Sequence, residues 1–472
     1  MLITIKNAVF IAFMCILSAM AFGQKYDLNH FQARYQEYKG FNLDFDLTSA
    51  GKGVDFTRSI NQSSKTNRFG LHPSYFVLMN TDLVQRNMNL LVFQDFSKHN
   101  TVINNLKGNS DITNSSTFGI LTDTRKYREK RFKYREINLV STYNWSGFEN
   151  LEPLHIYYTS YTIAMPMSFA FGFGNGRLNM VTDAVQAMFI LENLKSNKDF
   201  DYSNEQIESV AKGITEIRNA RYLDSRIGLK KQIKALDSIL SVNGISADKN
   251  IDYYSILYDN WQFANRFYRY SGSRWTHYSQ MYGYYQRKID NVLTYSDTGK
   301  VYSYSAEQNV IPSYFIHSKY ESSSQRSLYE QFGYFFHFQG GVNFPFRSSD
   351  NVTQTAPIRK IDKRLDEDFS NFYIETNFGT GFNYLFQPNT RNIFTSQISL
   401  DLNHKRIETL KLSSIFPRFT SVYYHWFSPQ LNINATASFE TIIQMLGPVK
   451  ALKKASDNYY YNIHIGLSYQ LF

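Results

Sequence analysis

The feature that most constrains this chain is a repeated alternation of aromatic or aliphatic side chains with small polar ones. In the range 332–346, the even positions begin Phe, Tyr, Phe, Phe, whereas the odd positions include Gly333, His337 and Gln339. Successive side chains of a β-strand point to opposite faces, so a period of two predicts a strand. The same alternation marks 41–47, 372–386, 394–403, 431–439 and 461–471, and weaker strand candidates are 67–79, 84–96, 131–145, 154–173, 273–289, 302–318 and 418–427.

The length of these segments favours a membrane barrel over a soluble sandwich. Soluble strands are typically about 5–6 residues long, whereas a tilted strand that crosses a bilayer needs about 9–11. Gly, Asn, Ser, Thr and Gln on one face suit a water-filled lumen, and Phe and Tyr on the other suit lipid. Backbone groups in a bilayer must all pair. We therefore predict an all-β transmembrane fold, a single closed antiparallel barrel of roughly 12–14 strands; the alternative is a large soluble β-sandwich.

The first 23 residues have the features of a cleaved signal peptide. One basic residue, Lys6, precedes an apolar run over 8–22, and Ala21-Phe22-Gly23 supplies small residues for cleavage before Gln24. The run is shorter than the roughly 20 residues of a membrane-spanning helix. Cys15, the single cysteine, lies in this segment, so the exported chain would carry no thiol.

The last residues, Tyr469-Gln470-Leu471-Phe472, follow an alternating segment and end on an aromatic residue. This segment resembles the C-terminal strand of bacterial outer-membrane β-barrel proteins. The resemblance implies residence in the bacterial outer membrane, with the lipid bilayer and the barrel assembly machinery as partners. Tyr469, Leu471 and Phe472 would form the assembly-signal strand, although Phe472 falls one residue out of the alternation.

The period changes near the middle of the chain, which predicts a helical insertion at 177–262. Apolar residues return with a spacing near 3.6, and Ser203 followed by Gln206 predicts a capping box. The range 251–271 fits either a further helix or the entry to a strand. The predicted organisation is a signal peptide at 1–23, the first part of the barrel at 24–176, the insertion at 177–262 and the second part of the barrel at 263–472.

Basic residues gather within this insertion. One interpretation is a solvated helix face; the other is a plug or docking element that offers positive charge to a partner or an anionic ligand. The residues concerned are Arg218, Arg221, Arg226, Lys230, Lys231 and Lys234.

The whole chain carries a formal net charge of +10, spread along its length. This basic excess is compatible with an ordinary solvated surface or with contact to anionic lipid headgroups. Nucleic acid is not expected as the partner of an exported chain.

Motifs of catalysis or cofactor binding do not emerge from the sequence. The glycine run Gly172-Phe173-Gly174-Asn175-Gly176 lacks the spacing and context of a dinucleotide loop, and we interpret it as a turn. No Walker A, HExxH or GxSxG sequence is present. We therefore expect no cofactor and favour a protein that is not an enzyme.

Four functions remain open from the sequence. The first is a channel or transport component whose lumen is partly occupied by the helical insertion and which takes up an amphipathic or aromatic solute. The second is a non-conducting barrel that docks periplasmic or surface proteins. The third is an outer-membrane barrel enzyme that hydrolyses lipids or peptides, and the fourth is a soluble secreted binding protein.

Overall fold

The computed structural model describes Leu28, Phe31 and the ranges 35–52, 62–103, 106–150, 155–197, 201–219, 225–245, 249–264, 266–296, 299–355, 358–366, 372–407, 410–429, 431–448 and 453–469. The signal peptide predicted at 1–23 lies outside these residues. The strands are β1 Tyr35–Lys52, β2 Gln62–Thr81, β3 Val84–Ile103, β4 Leu106–Arg128, β5 Arg131–Asn150, β6 His155–Met180, β7 Tyr270–Ser296, β8 Gly299–Gln325, β9 Glu330–Asn343, β10 Phe346–Thr355, β11 Ile358–Asp366, β12 Tyr373–Asn389, β13 Asn392–Ile407, β14 Leu410–Trp426, β15 Leu431–Pro448 and β16 Lys453–Tyr469.

All these strands belong to one antiparallel sheet. Fourteen of them follow each other in chain order from β1 to β16, and β10 and β11 form an extra hairpin that extends β9 along β8. Among the described residues, β1 and β16 are the two ends of this path. The prediction of an all-β antiparallel fold is confirmed.

Four helices interrupt the sheet between β6 and β7. They are α1 Thr182–Asn197, α2 Asn204–Asn219, α3 Ser225–Val242 and α4 Ile251–Phe263. The capping box is confirmed, since the Ser203 backbone donates to Gln206 Oε1 at 2.8 Å and the Gln206 backbone donates to Ser203 Oγ at 3.3 Å. None of the helices in the described ranges has both the length and the apolarity needed to cross a bilayer.

The helices define one end of the sheet, here called the capped end. Met180 of β6 and Tyr270 of β7 lie opposite each other there, with the helices inserted between them. Other connections at this end are short: residues 82–83, 129–130 and 390–391 each join two neighbouring strands. The opposite end, here called the far end, carries the β10–β11 hairpin.

The two faces of the sheet differ sharply in composition. On β6, Phe169, Phe171 and Phe173 point to one face, where Phe171 and Phe173 are 56% and 67% exposed. Ser168 and Ala170 point to the other face and are buried. We call the exposed apolar face the outer face and the opposite one the inner face; strand register extends both assignments to neighbouring strands.

The interpretation of the glycine run at 172–176 as a turn is wrong. Gly172 and Gly174 lie inside β6, on its inner face. A Cβ atom on Gly174 would lie 2.1 Å from Phe132 Cζ, so the glycine makes room for a ring on the neighbouring strand. Only Gly176, at φ +86°, has a backbone conformation that favours glycine.

Candidate functional site

Helix α1 is the centre of the helical insertion, because every residue from 181 to 191 is buried. Apolar residues of the other three helices surround it, and Leu28 and Phe31 from the N-terminal segment join the same core. Leu328, from the turn between β8 and β9, also belongs to this core. The helices therefore form one packed unit, here called the helical cap, which is continuous with the capped end of the sheet.

A buried carboxylate ties the cap to the first strands. Asp183 is fully buried and accepts hydrogen bonds from Arg218 Nη1 at 2.8 Å, Thr215 Oγ1 at 2.6 Å and Gln36 Nε2 at 3.1 Å. Gln36 belongs to β1, and its Oε1 accepts from Asn80 Nδ2 of β2 at 2.8 Å. A buried charge needs such partners, since an unpaired one costs several kcal/mol.

A buried guanidinium ties the cap to strands farther along the sheet. Arg269 is fully buried; its Nη1 donates to Gln325 Oε1 of β8 at 3.1 Å and its Nη2 to Gln387 Oε1 of β12 at 2.9 Å. Its backbone N–H donates to Thr182 Oγ1 of α1 at 2.9 Å. Burial lowers the pKa of Arg269 to about 9, which leaves it charged at neutral pH.

Helix α4 and the residues after it contact the last strands. Arg391, in the turn between β12 and β13, binds Asp259 of α4 through two bonds of 2.9 and 3.0 Å. Arg266 donates to the carbonyl of Pro429, in the turn between β14 and β15, at 2.7 Å. The ring of Phe267 lies 6.1 Å from that of Trp426 of β14. The cap thus contacts strands near both ends of the path, which requires the sheet to curl around it.

A cavity of about 570 Å³ lies on the inner side of the sheet next to the cap. Its walls come from β2–β4, from β7–β9 and from β12, so inner faces far apart along the path face one space. Leu178, Met180 and Tyr270, at the junction with the cap, close its base. Other inner-face residues that line it are Asn80, Gln85, Asp123, Arg125, Arg274, Lys319, Glu321, Phe335 and His337.

The charges on the cavity wall are paired. Arg274 Nε and Lys319 Nζ lie 2.8 and 3.0 Å from the two oxygens of Glu321, and Arg125 Nη1 lies 2.9 Å from Asp123 Oδ1. These pairs leave three cations against two carboxylates, so the wall is polar without a strong charge of one sign.

Aromatic rings alternate with the ion pairs on the same inner face. Tyr278 stacks on His317 at a centroid distance of 4.3 Å with nearly parallel planes. The Arg125 guanidinium lies 5.0 Å above the ring of Tyr134, whose hydroxyl donates to Glu136. A wall of paired charges and flat rings can bind a small solute with both polar and apolar parts.

Of the six basic residues predicted as a partner or anion site, the structure describes the surroundings of four. Arg218 lies in the cap and pairs with Asp183, which assigns it to the buried core. Lys230, Lys231 and Lys234 are exposed on α3. Arg221 lies outside the described residues. Arg226 falls within α3, but its side chain is not among those that the structure describes.

The assembly-signal strand is described only in part. Tyr469 is the last residue of β16 and lies opposite Leu431 of β15. Leu471 and Phe472 lie outside the described residues, so the register of the terminal aromatic residue stays a prediction.

Asp183 and Arg269 were not singled out from the sequence. Their importance depends on contacts with residues 147 and 118 positions away, which no local pattern encodes. One signal was available, since the range 182–191 of α1 is apolar on all sides apart from Thr182, Asp183 and Gln186, and such a helical segment is typically buried. A charged residue in a fully buried helix must have a partner.

No protein-family model matches the sequence, and no curated protein is similar to it. Within the described ranges, no group of three or more His, Cys, Asp or Glu residues is arranged to hold a metal ion. The geometry of the sheet, the cavity and the cap therefore carries the functional argument.

Proposed function

We propose that the protein is a bacterial outer-membrane β-barrel that takes up a small amphipathic solute. The solute enters the lumen from the far end and reaches the cavity above the helical cap. The cap closes the other mouth and has to move or deform for passage. The lipid bilayer and the barrel assembly machinery are the partners of this arrangement.

The observation that carries the proposal is the outer face of the single sheet. Phe171, Phe173 and Ile463 are between 56% and 76% exposed, and they belong to a continuous apolar surface. A soluble sandwich would cover such rings with a second sheet, but the described strands all belong to one sheet. Exposed apolar patches of this extent mark a surface that another apolar phase covers. We assign this phase to lipid because the exposed surface is uniformly apolar.

The height of the apolar surface matches a bilayer. From Tyr161 to Phe173 the exposed apolar residues of β6 span about 40 Å along the strand at about 3.3 Å per residue, and Tyr157 extends the row toward the far end. With a strand tilt of about 40°, this distance is roughly 30 Å along the barrel axis. A bilayer hydrocarbon core has about this thickness.

Aromatic residues mark one membrane interface. On the outer face near the capped end, the Trp275 ring lies 4.7 Å from that of Tyr320, whose hydroxyl lies 3.1 Å from that of Tyr334. Amphipathic rings concentrate at the headgroup level of membrane proteins. This group forms part of an aromatic belt.

Closure of the sheet follows from the same physics. An open edge in hydrocarbon leaves backbone N–H and C=O groups unpaired, at several kcal/mol each. One compact cap contacts both β1 and the β14–β15 turn, and this supports the proposal that the two ends of the path come together. We infer that β1 pairs with β16 to give a barrel of fourteen strands.

The capped end is assigned to the periplasm. Outer-membrane barrels have short periplasmic turns, and three connections of two residues, 82–83, 129–130 and 390–391, lie at this end. Strand β1 begins there and β16 ends there, because Tyr35 lies opposite Thr81 and Tyr469 opposite Leu431.

Conductance in planar bilayers tests the transport proposal. In the test variant, a two-residue Asn-Gly turn replaces residues 181–269, which the pairing of Met180 with Tyr270 permits. We expect little conductance from the intact protein and stepwise conductance from the variant. The control variant carries Lys230→Gln, Lys231→Gln and Lys234→Gln. These substitutions change the exposed surface of the cap and leave the cap itself in place. If neither the intact protein nor the test variant conducts, transport through the lumen is excluded.

A docking function remains the second candidate, because the cap presents exposed basic and apolar groups. Ile251 is 84% exposed on α4, and the three lysines of α3 are exposed. Copurification from native membranes, with and without Lys→Glu reversal at these lysines, tests it. A partner lost on reversal, from a protein that never conducts, would favour docking over transport.

A further inference from the structure

The outer face carries a group of basic side chains on β3, β4 and β5, close to the capped end. These exposed residues, here called the basic arc, are Arg86, Lys126, Arg128, Arg131, Lys133 and Arg135. Strand register places them on the same face as the exposed Phe118 and Ile137. Their side chains therefore point away from the lumen, although Arg86 also borders the cavity next to the cap.

The arc contains like charges that face each other directly. Lys126 lies opposite Lys133, and Arg128 lies opposite Arg131, in neighbouring pairs on the same face of the β4–β5 ladder. Side chains directly opposite in an antiparallel pair have Cβ atoms about 4.5–5.5 Å apart, and like charges there are destabilising. A negatively charged group from outside the sheet would reduce the repulsion between these opposed cations.

The chain itself does not supply this charge within its described part. No carboxylate there lies within 4.0 Å of a cation of the arc; in contrast, the inner-face cations of the cavity are paired. Arg86 Nε donates to the hydroxyl of Thr124 at 3.3 Å, which is a neutral partner.

The arc borders the apolar surface. Arg135 and Ile137 share the outer face of β5, about 7 Å apart at the usual rise, and Leu139 continues the apolar row. On β6, Phe171 lies opposite Arg135 and Phe173 lies opposite Lys133. The cations thus occupy the height at which hydrocarbon meets headgroups, where long basic side chains can extend to the interface.

We propose that the basic arc binds the headgroups of anionic phospholipids in the periplasmic leaflet. The inference rests on the proposed membrane location and orientation. Phospholipid is the occupant because the arc is continuous with the lipid-facing surface and lies at the end assigned to the periplasm. Phosphate groups at the interface neutralise the opposed cations, while the acyl chains cover the adjacent phenylalanines.

Native mass spectrometry of the detergent-solubilised full chain tests the proposal. Phosphatidylglycerol and phosphatidylcholine with the same acyl chains are added in equal amounts, and the bound fractions are compared. The test variant carries Arg131→Gln, Lys133→Gln and Arg135→Gln. The control carries Lys98→Gln, Arg287→Gln and Arg406→Gln, which remove the same charge from exposed outer-face positions toward the far end. Circular dichroism verifies that each variant retains its β-sheet.

We expect the intact protein and the control to retain phosphatidylglycerol in excess. A cation near an anionic surface contributes about fivefold to lipid binding, so the test variant should lose at least about tenfold of that excess. Equal retention of both lipids by the intact protein, or an unchanged excess in the test variant, overturns the proposal. Displacement of phosphatidylglycerol by equimolar lipid A also overturns it, because the arc would then face the outer leaflet.

A vesicle experiment separates this inference from the proposed function. The intact protein is refolded into phosphatidylcholine vesicles with and without phosphatidylglycerol and then floated on a density gradient. Failure to insert into either vesicle contradicts the membrane location itself. Insertion into both, with no phosphatidylglycerol excess in mass spectrometry, overturns only the role of the basic arc.

Discussion

At the scale of single residues, the inner wall is built by pairing large side chains with glycines on neighbouring strands. Gly174 faces Phe132, Gly381 faces Phe335, and a Cβ on either glycine would collide with the ring or with backbone. In the sequence, these glycines are visible only as small residues at polar-face positions of the predicted strands. Their role could not be predicted, because it depends on which residue of another strand lies opposite.

Replacement of Gly174 tests this packing. In Gly174→Ala the new Cβ lies 2.1 Å from Phe132 Cζ and 2.2 Å from the Trp275 carbonyl oxygen. We expect the free energy of unfolding to fall by about 1–3 kcal/mol, as for other overpacked cores. Urea titration followed by heat-modifiable electrophoretic mobility measures it. Gly119→Ala is the control, since its nearest atom is 3.6 Å away; a similar loss there would contradict the packing account.

Asp183 tests the buried polar network of the cap. In Asp183→Asn the Arg218 guanidinium loses its charge partner, and breaking a buried pair costs about 3–5 kcal/mol. Hydrogen exchange should show faster opening of α1 and α2 with little change in β13. The matched control is Asp201→Asn, whose carboxylate is 82% exposed beside Lys195, and it should change stability by less than about 1 kcal/mol. Equal losses of stability in Asp183→Asn and Asp201→Asn would contradict a stabilising role for the buried network.

At the scale of elements, strands were predictable wherever one face is apolar and the other polar. The alternation at 372–386 lies in β12, and the weaker candidates at 131–145 and 302–318 lie in β5 and β8. Strand β4 was not predicted, because Ser, Thr, Asn and Asp occupy both of its faces over 109–117. The ambiguous range 251–271 contains helix α4 and then the first residues of β7.

Substitution of Arg269 tests how the cap is held against the strands. Arg269→Met removes the bonds to Gln325 and Gln387 and leaves both amides buried. We expect the opening free energy of the cap to fall by about 2 kcal/mol. A Met180→Cys reporter at the base of the cavity should then react with a thiol reagent about 30-fold faster. Arg391→Met, which removes a half-exposed ion pair, should change this rate less than about fivefold. Unchanged reactivity in Arg269→Met would contradict the role of Arg269 as a latch.

At the scale of the whole molecule, the sequence predicted the chemistry of the two faces and the presence of a helical insertion. It did not predict where the insertion lies. That position depends on non-local contacts, such as those of Gln36 with Asp183 and of Arg391 with Asp259, 132 or more residues apart. Strand periodicity is local and is therefore visible in sequence; the docking of one element on another is not.

The central claim is that the outer face contacts lipid while the inner face contacts water. Spin labels attached to single cysteines along β6 test it in reconstituted bilayers. At Met165 and Phe169 on the outer face, we predict more collisions with oxygen than with a water-soluble nickel complex. At Ala164 and Ser168 on the inner face, the ratio should fall, so that accessibility alternates with a period of two. Equal access of the nickel complex to both sets would contradict the account.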